Sequence, residues 1–116
     1  MISKFSIYLV DVYTHLRYII CMIKSFADKD TERIFQSIFI KKFSKEVQII
    51  ARRKLWSIDI AMKTNDLNVP PGNRLEQLKG NRKGQHSIRI NDQWRICFVW
   101  NEMECIATEV EIVDYH

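Results

Sequence analysis

Arg95 lies inside Trp94-Arg95-Ile96-Cys97-Phe98-Val99-Trp100, the most apolar strand-like run of this 116-residue chain. An unpaired guanidinium buried there would be very costly, so it must reach a carboxylate or the open face of a sheet. Two roles fit: a salt bridge or hydrogen bond that fixes strand register, and a cation presented to an anionic substrate. Lys79, just before Gly80, starts a second cationic group that continues through Asn81-Arg82-Lys83-Gly84. Such a turn is either simply solvated or a cradle in which clustered cations and close backbone approach receive a phosphate. The sequence closes on Asp114-Tyr115-His116, a carboxylate, a stacking phenol and an imidazole. A frayed tail is the plain reading of such a segment. Against it, imidazole alone has an ordinary pKa near neutrality and is the natural proton-transfer group. Lys79, Arg95 and His116 together form the set that in-line RNA cleavage requires: a 2′-hydroxyl loses a proton, a pentacoordinate phosphorane is neutralised, and the 5′-oxygen leaves. Two cations and one imidazole supply this chemistry without a metal or other cofactor.

The elements that must position these groups can be read from periodicity. Met22 to Phe26 alternates apolar and polar residues as a first strand would. Asp30 is the expected N-cap of a short helix carrying Ile34, Phe35, Ile38 and Phe39 on one side. A longer helix is predicted from near Ser44, with Val47, Ile50, Ala51, Leu55, Ile58 and Met62 at helical spacing. Asn65 to Asn73, with Val69-Pro70-Pro71-Gly72, reads as a breaker loop. Arg74 to Leu78, Ser87 to Ile90, Trp94 to Trp100 and Ile106 to Val113 then read as strands joined by short turns at Asn91-Asp92 and Asn101 to Glu104. The expected architecture is α+β: two N-terminal helices packed on one face of a small, mainly antiparallel sheet that the first strand joins across the helices.

Composition bounds the rest. At 47% hydrophobic and 28% charged residues the chain holds one packed domain, and it has no uncharged apolar run long enough to cross a bilayer. Residues 1–21 contain no secretory h-region or cleavage pattern; the core pattern begins at Met22, so the domain is expected over 22–116 and residues 1–21 are a leader of doubtful origin. Eighteen Lys and Arg against fourteen Asp and Glu, a net charge of +4, favour a polyanionic partner, nucleic acid first and an acidic protein second. Three cysteines with no C-x-x-C pair and no His at ligand spacing indicate a reducing, cytoplasmic compartment and thiols without chemistry; a Cys97–Cys105 cross-strand disulfide is the less favoured alternative. His86 reads as a half-buried structural residue. Lys41, Lys42, Lys45, Arg52, Arg53 and Lys54, opposed by Glu46 alone, form either a solvated helix face or a contact for RNA backbone.

Arg74 to Gly84, Ser87 to Phe98 and Val110 to His116 resemble, in that order, three motifs of the HigB-type toxins of the RelE/ParE superfamily, and the resemblance runs from Met22 to His116. It implies a microbial ribonuclease-like fold and the toxin half of a bacterial type II toxin–antitoxin pair. The implied activity is ribosome-dependent cleavage of mRNA in the A site. Lys79 and Arg95 match the family's phosphate-facing cations, and Asp114, Tyr115 and His116 match its catalytic tail. Arg82, Lys83, Arg52, Arg53 and Lys54 are the expected RNA-binding residues. The implied partners are a HigA-type helix-turn-helix antitoxin, the ribosome with its mRNA, and operator DNA through the antitoxin, with no membrane. The alternative is the ParE-like branch of the same fold, which poisons DNA gyrase and cuts no RNA. Glu76 departs from relatives that carry a histidine there, His86 stands where an aromatic is common, and residues 1–21 have no counterpart.

Overall fold

Two side-chain caps set where the helices begin. In the computed structural model, which describes residues 22–114, Asp28 is extended (φ −143°, ψ 163°) and its carboxylate accepts from the Thr31 backbone N–H at 2.8 Å, starting helix α1 at Lys29–Phe35. The expected cap, Asp30, is instead in the first turn, where it pairs with Arg33 at 3.6 Å and Lys42 at 3.9 Å. The helix ends early because Ser37 takes φ 68°, which stops the helical repeat. Ile38 and Phe39, expected on the helix's buried side, are therefore 47% and 62% exposed.

Helix α2, Lys45–Ile60, starts at Ser44 as the sequence indicates, the Ser44 hydroxyl accepting from Val47 N–H at 3.2 Å. Gln48 is 2% exposed and ties down the approach to this helix: its amide oxygen accepts from Ile40 N–H at 2.9 Å, and its amide nitrogen donates to the carbonyls of Ile40 and Phe43 at 2.7 and 2.9 Å. Ala51, Leu55 and Ile58 are fully buried, while Met62 lies beyond the helix end and is exposed rather than part of the apolar face.

These helices cover one face of a five-stranded sheet in the order β1-β5-β4-β3-β2. Its strands are β1 Met22–Ile23, β2 Glu76–Gln77, β3 Gln85–Arg89, β4 Trp94–Asn101 and β5 Ile106–Asp114. β1 runs parallel to β5 and the remaining pairs are antiparallel, as the expected α+β arrangement requires. Asp59 anchors β1 to α2 by accepting from Ile23 N–H at 3.0 Å. Alternation along the strands sends Ile88, Ile96, Phe98, Val110 and Ile112 into the core with Ile34, Leu55 and Ile58. Ser87, Arg95, Cys97 and Glu111 go to the opposite face: Ser87 is aligned with Cys97, and Cys97 with Glu111.

The segment between α2 and β2 is a loop, but one with two short 3-10 turns, Thr64–Asn68 and Pro71–Asn73, and with Leu67 and Asn73 buried to 1% exposure. The Asn73 amide donates to Leu67 and Val69 carbonyls at 3.1 and 3.4 Å, and its oxygen accepts from Lys54 Nζ. The expected strand from Arg74 to Leu78 contracts to Glu76–Gln77 because Arg74 is left-handed, φ 46° and ψ 55°, and cannot extend the strand. Asn91 Oδ1 closes the β3–β4 turn by accepting from Gln93 and Trp94 N–H at 2.9 and 2.8 Å. A one-residue register shift between Cys97 and Val99 marks a bulge against β5, where Glu109 has φ 53°. Cys97 and Cys105 are free thiols, Cys97 buried and Cys105 half-buried, so the alternative disulfide is not formed. The expected leader, 1–21, and the tail residues Tyr115 and His116 lie outside the described residues.

Candidate active site

Arg95 enters the face opposite the helices because its strand neighbours Trp94 and Ile96 take the core side. It is 8% exposed. Its Nε donates to Ser87 Oγ at 2.8 Å, and Nη2 donates to the Arg74 carbonyl at 2.6 Å and the Ser87 carbonyl at 3.3 Å. Glu76 Oε1 stands 3.8 Å from Nη2. Of the two roles read from the sequence, the bonds show the register-fixing one: the guanidinium is tied into β3 and the β2 approach. Charge-assisted bonds to two carbonyls and a hydroxyl offset the cost of its burial. The Glu76 side chain is 47% exposed, so this ion pair is partly screened. Ser87, fully buried, and the left-handed Arg74 carbonyl were not singled out in the sequence; the signal for Ser87 was a lone hydroxyl on the Arg95 face of the neighbouring strand.

Lys79 is exposed and precedes a 3-10 turn, Gly80–Arg82. Gly80 (φ 64°) and Gly84 (φ 94°) hold left-handed backbone, which bends the basic segment into a shallow cleft of about 360 Å³ lined by Lys79, Lys83 and both glycines. Arg82 donates to Gln85 Oε1 at 3.0 Å and pairs with Glu111 Oε1 at 3.3 Å. Cys97, aligned with Glu111, lies beneath these charges. Burial pushes its thiol pKa up, Arg82 and Arg95 oppose that, and Glu111 and Glu76 add to it.

β5 delivers Asp114 beside Trp94, one ladder position from the Arg95–Val113 pair, and Gln93 Nε2 donates to Asp114 Oδ2 at 3.1 Å. The structure thus brings the start of the tail to the end of the sheet that carries Arg95, while Tyr115 and His116 are outside the described residues. The α2 cations separate by role. Arg52 Nε donates to the Ile34 carbonyl at 3.1 Å and joins the two helices. Lys54 holds Asn73, and its pKa is lowered by burial and by the charges of Arg53 and Arg89. Arg53 remains exposed. His86 is half-buried, stacked on Phe98 with ring centroids 6.0 Å apart; burial lowers its pKa, with Glu102 opposing. Among the described residues, no group of three or more His, Cys, Asp or Glu side chains is placed to hold a metal ion, and no helix is long and apolar enough to cross a membrane.

The fold is that of a small α+β domain with a buried arginine on the sheet face opposite its helices and a basic turn after β2. Residues 24–116 match the HigB-like toxin family, described as the RelE-like toxin of the type II toxin–antitoxin system HigB, and the chain belongs to that family. It is 54% identical over 59 residues to Toxin HigB-1 of Vibrio cholerae serotype O1, a match covering 51% of this chain and 62% of that protein. A solved YoeB–YefM complex from Staphylococcus aureus is similar at 18% identity and a TM-score of 0.48, covering 83% of this chain and 99% of the matched one.

Proposed function

We propose that this chain is the toxin of a type II pair, an endoribonuclease that cuts mRNA on the ribosome and is silenced by a HigA-type helix-turn-helix antitoxin. The observation that carries the reading is Arg95, a guanidinium fixed by Ser87 and the Arg74 carbonyl on the sheet face that the helices leave uncovered. A preorganised cation stabilises developing charge without reorganising during the reaction. In the proposed step the 2′-oxygen loses its proton to His116 and attacks the adjacent phosphorus. Arg95 and Lys79 neutralise the phosphorane, and the P–O5′ bond breaks as the 5′-oxygen takes a proton from water, to which His116 returns the one it accepted. The products are a 2′,3′-cyclic phosphate and a 5′-hydroxyl. Tyr115 stacks on or orients a base, Asp114 positions the tail, and the step calls on side chains and water alone. Lys83, Arg53 and, with smaller reach, Arg82, Arg52 and Lys54 track the RNA backbone; the tracking strength should fall steeply with salt.

Translating ribosomes programmed with one mRNA test this directly. The intact chain should generate those ends there and cut naked mRNA poorly, because positioning supplies much of the acceleration. Gyrase-dependent DNA breaks with mRNA left whole would move the protein to the ParE-like branch.

A further inference from the structure

A second cleft, about 500 Å³, lies at the β2–β3–β4 edge beside the Thr64–Asn68 turn. Its lining includes Asn65, Glu76, Gln77, His86, Trp100 and Glu102, and no lysine or arginine. Two of these residues carry polar atoms for which the protein supplies no partner: His86 Nδ1 and Trp100 Nε1 are both buried without a hydrogen bond. A buried donor or acceptor left unsatisfied costs on the order of 1–3 kcal/mol, so two on residues that line one cleft mark a place where a group that reaches them gains more than it would on an ordinary surface. Trp100 is 9% exposed and can only donate; His86 is stacked on Phe98. Glu102, in the exposed β4–β5 turn, supplies an acceptor near the imidazole.

This chemistry selects its occupant. Carboxylates with no cation disfavour a phosphate. Aromatic edges, amides, an indole donor and a carboxylate acceptor suit a flat neutral heterocycle that both gives and takes hydrogen bonds. Glu76 lines this cleft and also pairs with Arg95, so the cleft adjoins the proposed cleavage site. Resting on the ribonuclease reading, we propose that this cleft holds one base of the RNA flanking the scissile phosphate and selects an amino-bearing base. Trp100 Nε1 donates to a ring or carbonyl acceptor of that base, and Glu102 accepts from its exocyclic amine. The exposed side chains of Gln77 and Glu102 turn aside to admit it, a motion of the picosecond-to-nanosecond class.

Free nucleosides test the cleft separately from the cleavage site, because they bring no phosphate for Lys79 or Arg95. The full chain is labelled with nitrogen-15 and titrated with adenosine, guanosine, cytidine and uridine, reading the Trp100 indole N–H, assigned with Trp100→Phe. The three amino-bearing nucleosides should shift it saturably, and uridine should bind about tenfold more weakly, the equivalent of one lost hydrogen bond. Glu102→Ala, in an exposed turn, should erase that preference, and His86→Phe, which keeps the aromatic stack, should weaken binding by a similar factor. An indole signal that no nucleoside moves, or that all four move equally, overturns the proposal. If nucleosides bind with the stated preference while ribosomal mRNA stays whole, the ribonuclease reading fails and the cleft survives. If mRNA is cut while the indole stays unmoved, the cleft fails alone.

Discussion

At the scale of single residues, Arg95 joins a structural role to the proposed chemistry. Arg95→Ala removes a fixed cation and leaves Ser87 Oγ and the Arg74 carbonyl without their charged donor. Cleavage should slow by about 100- to 1,000-fold, the usual loss of one preorganised donor, and the melting temperature should fall with it. Ser87→Ala isolates the positioning part: the cation stays, its Nε loses an acceptor, and single-turnover cleavage should drop about tenfold at unchanged substrate affinity. Equal rates for Ser87→Ala and the parent chain would show that Arg95 is held well enough by the two carbonyls. His86 gives a pH signature. Its folded pKa lies below the ordinary 6.5, so the unfolded chain binds the proton more readily. Stability should therefore be fully present above about pH 6.5 and be lost as pH falls toward the lowered value, with Glu102 moderating the slope. His86→Phe should flatten the melting temperature across that window, and an unchanged slope would assign the dependence elsewhere. Residue types announced Arg95 and Lys79 as cations of interest; they could not show that Arg95's bonds run to Arg74 and Ser87, because those depend on strand register.

At the scale of elements, what was legible followed from periodicity and what was not followed from backbone choices between neighbours. The Ser44 cap and the buried Ala51, Leu55 and Ile58 were readable because one apolar stripe runs through four turns. Asp28 and Asp30 are equally good caps by type; the extended backbone at Asp28 decides between them, and a seven-residue helix has too few turns to show its own phase. Asp28→Ala should accordingly cost about 1 kcal/mol in chemical denaturation, and Asp30→Ala less than about 0.5 kcal/mol, since it removes partly exposed ion pairs. The reverse order would restore Asp30 as the cap. The strand expected from Arg74 shrank to Glu76–Gln77 for a similar reason, a left-handed arginine whose carbonyl serves the site. Nothing in residue type signals a positive φ at an arginine.

At the scale of the whole molecule, the fold places the α2 cations, the basic turn and the Arg95 face on one small domain, with the end of β5 at Asp114 paired to Trp94. β1 starts at Met22 and is held by β5 and by Asp59, so a chain beginning at Met22 should melt within a few degrees of the full chain. A large loss of stability would assign residues 1–21 a part in the core. In the proposed function Arg95 and the tail cut RNA on the ribosome. This is tested most directly by mapping mRNA ends from translating ribosomes incubated with the untagged chain, with Arg95→Ala and with a form lacking His116. The untagged chain should give 5′-hydroxyl and 2′,3′-cyclic or 3′-phosphate ends, and each variant should lose about 100-fold or more of the cutting. Equally fast cutting by all three forms would contradict it.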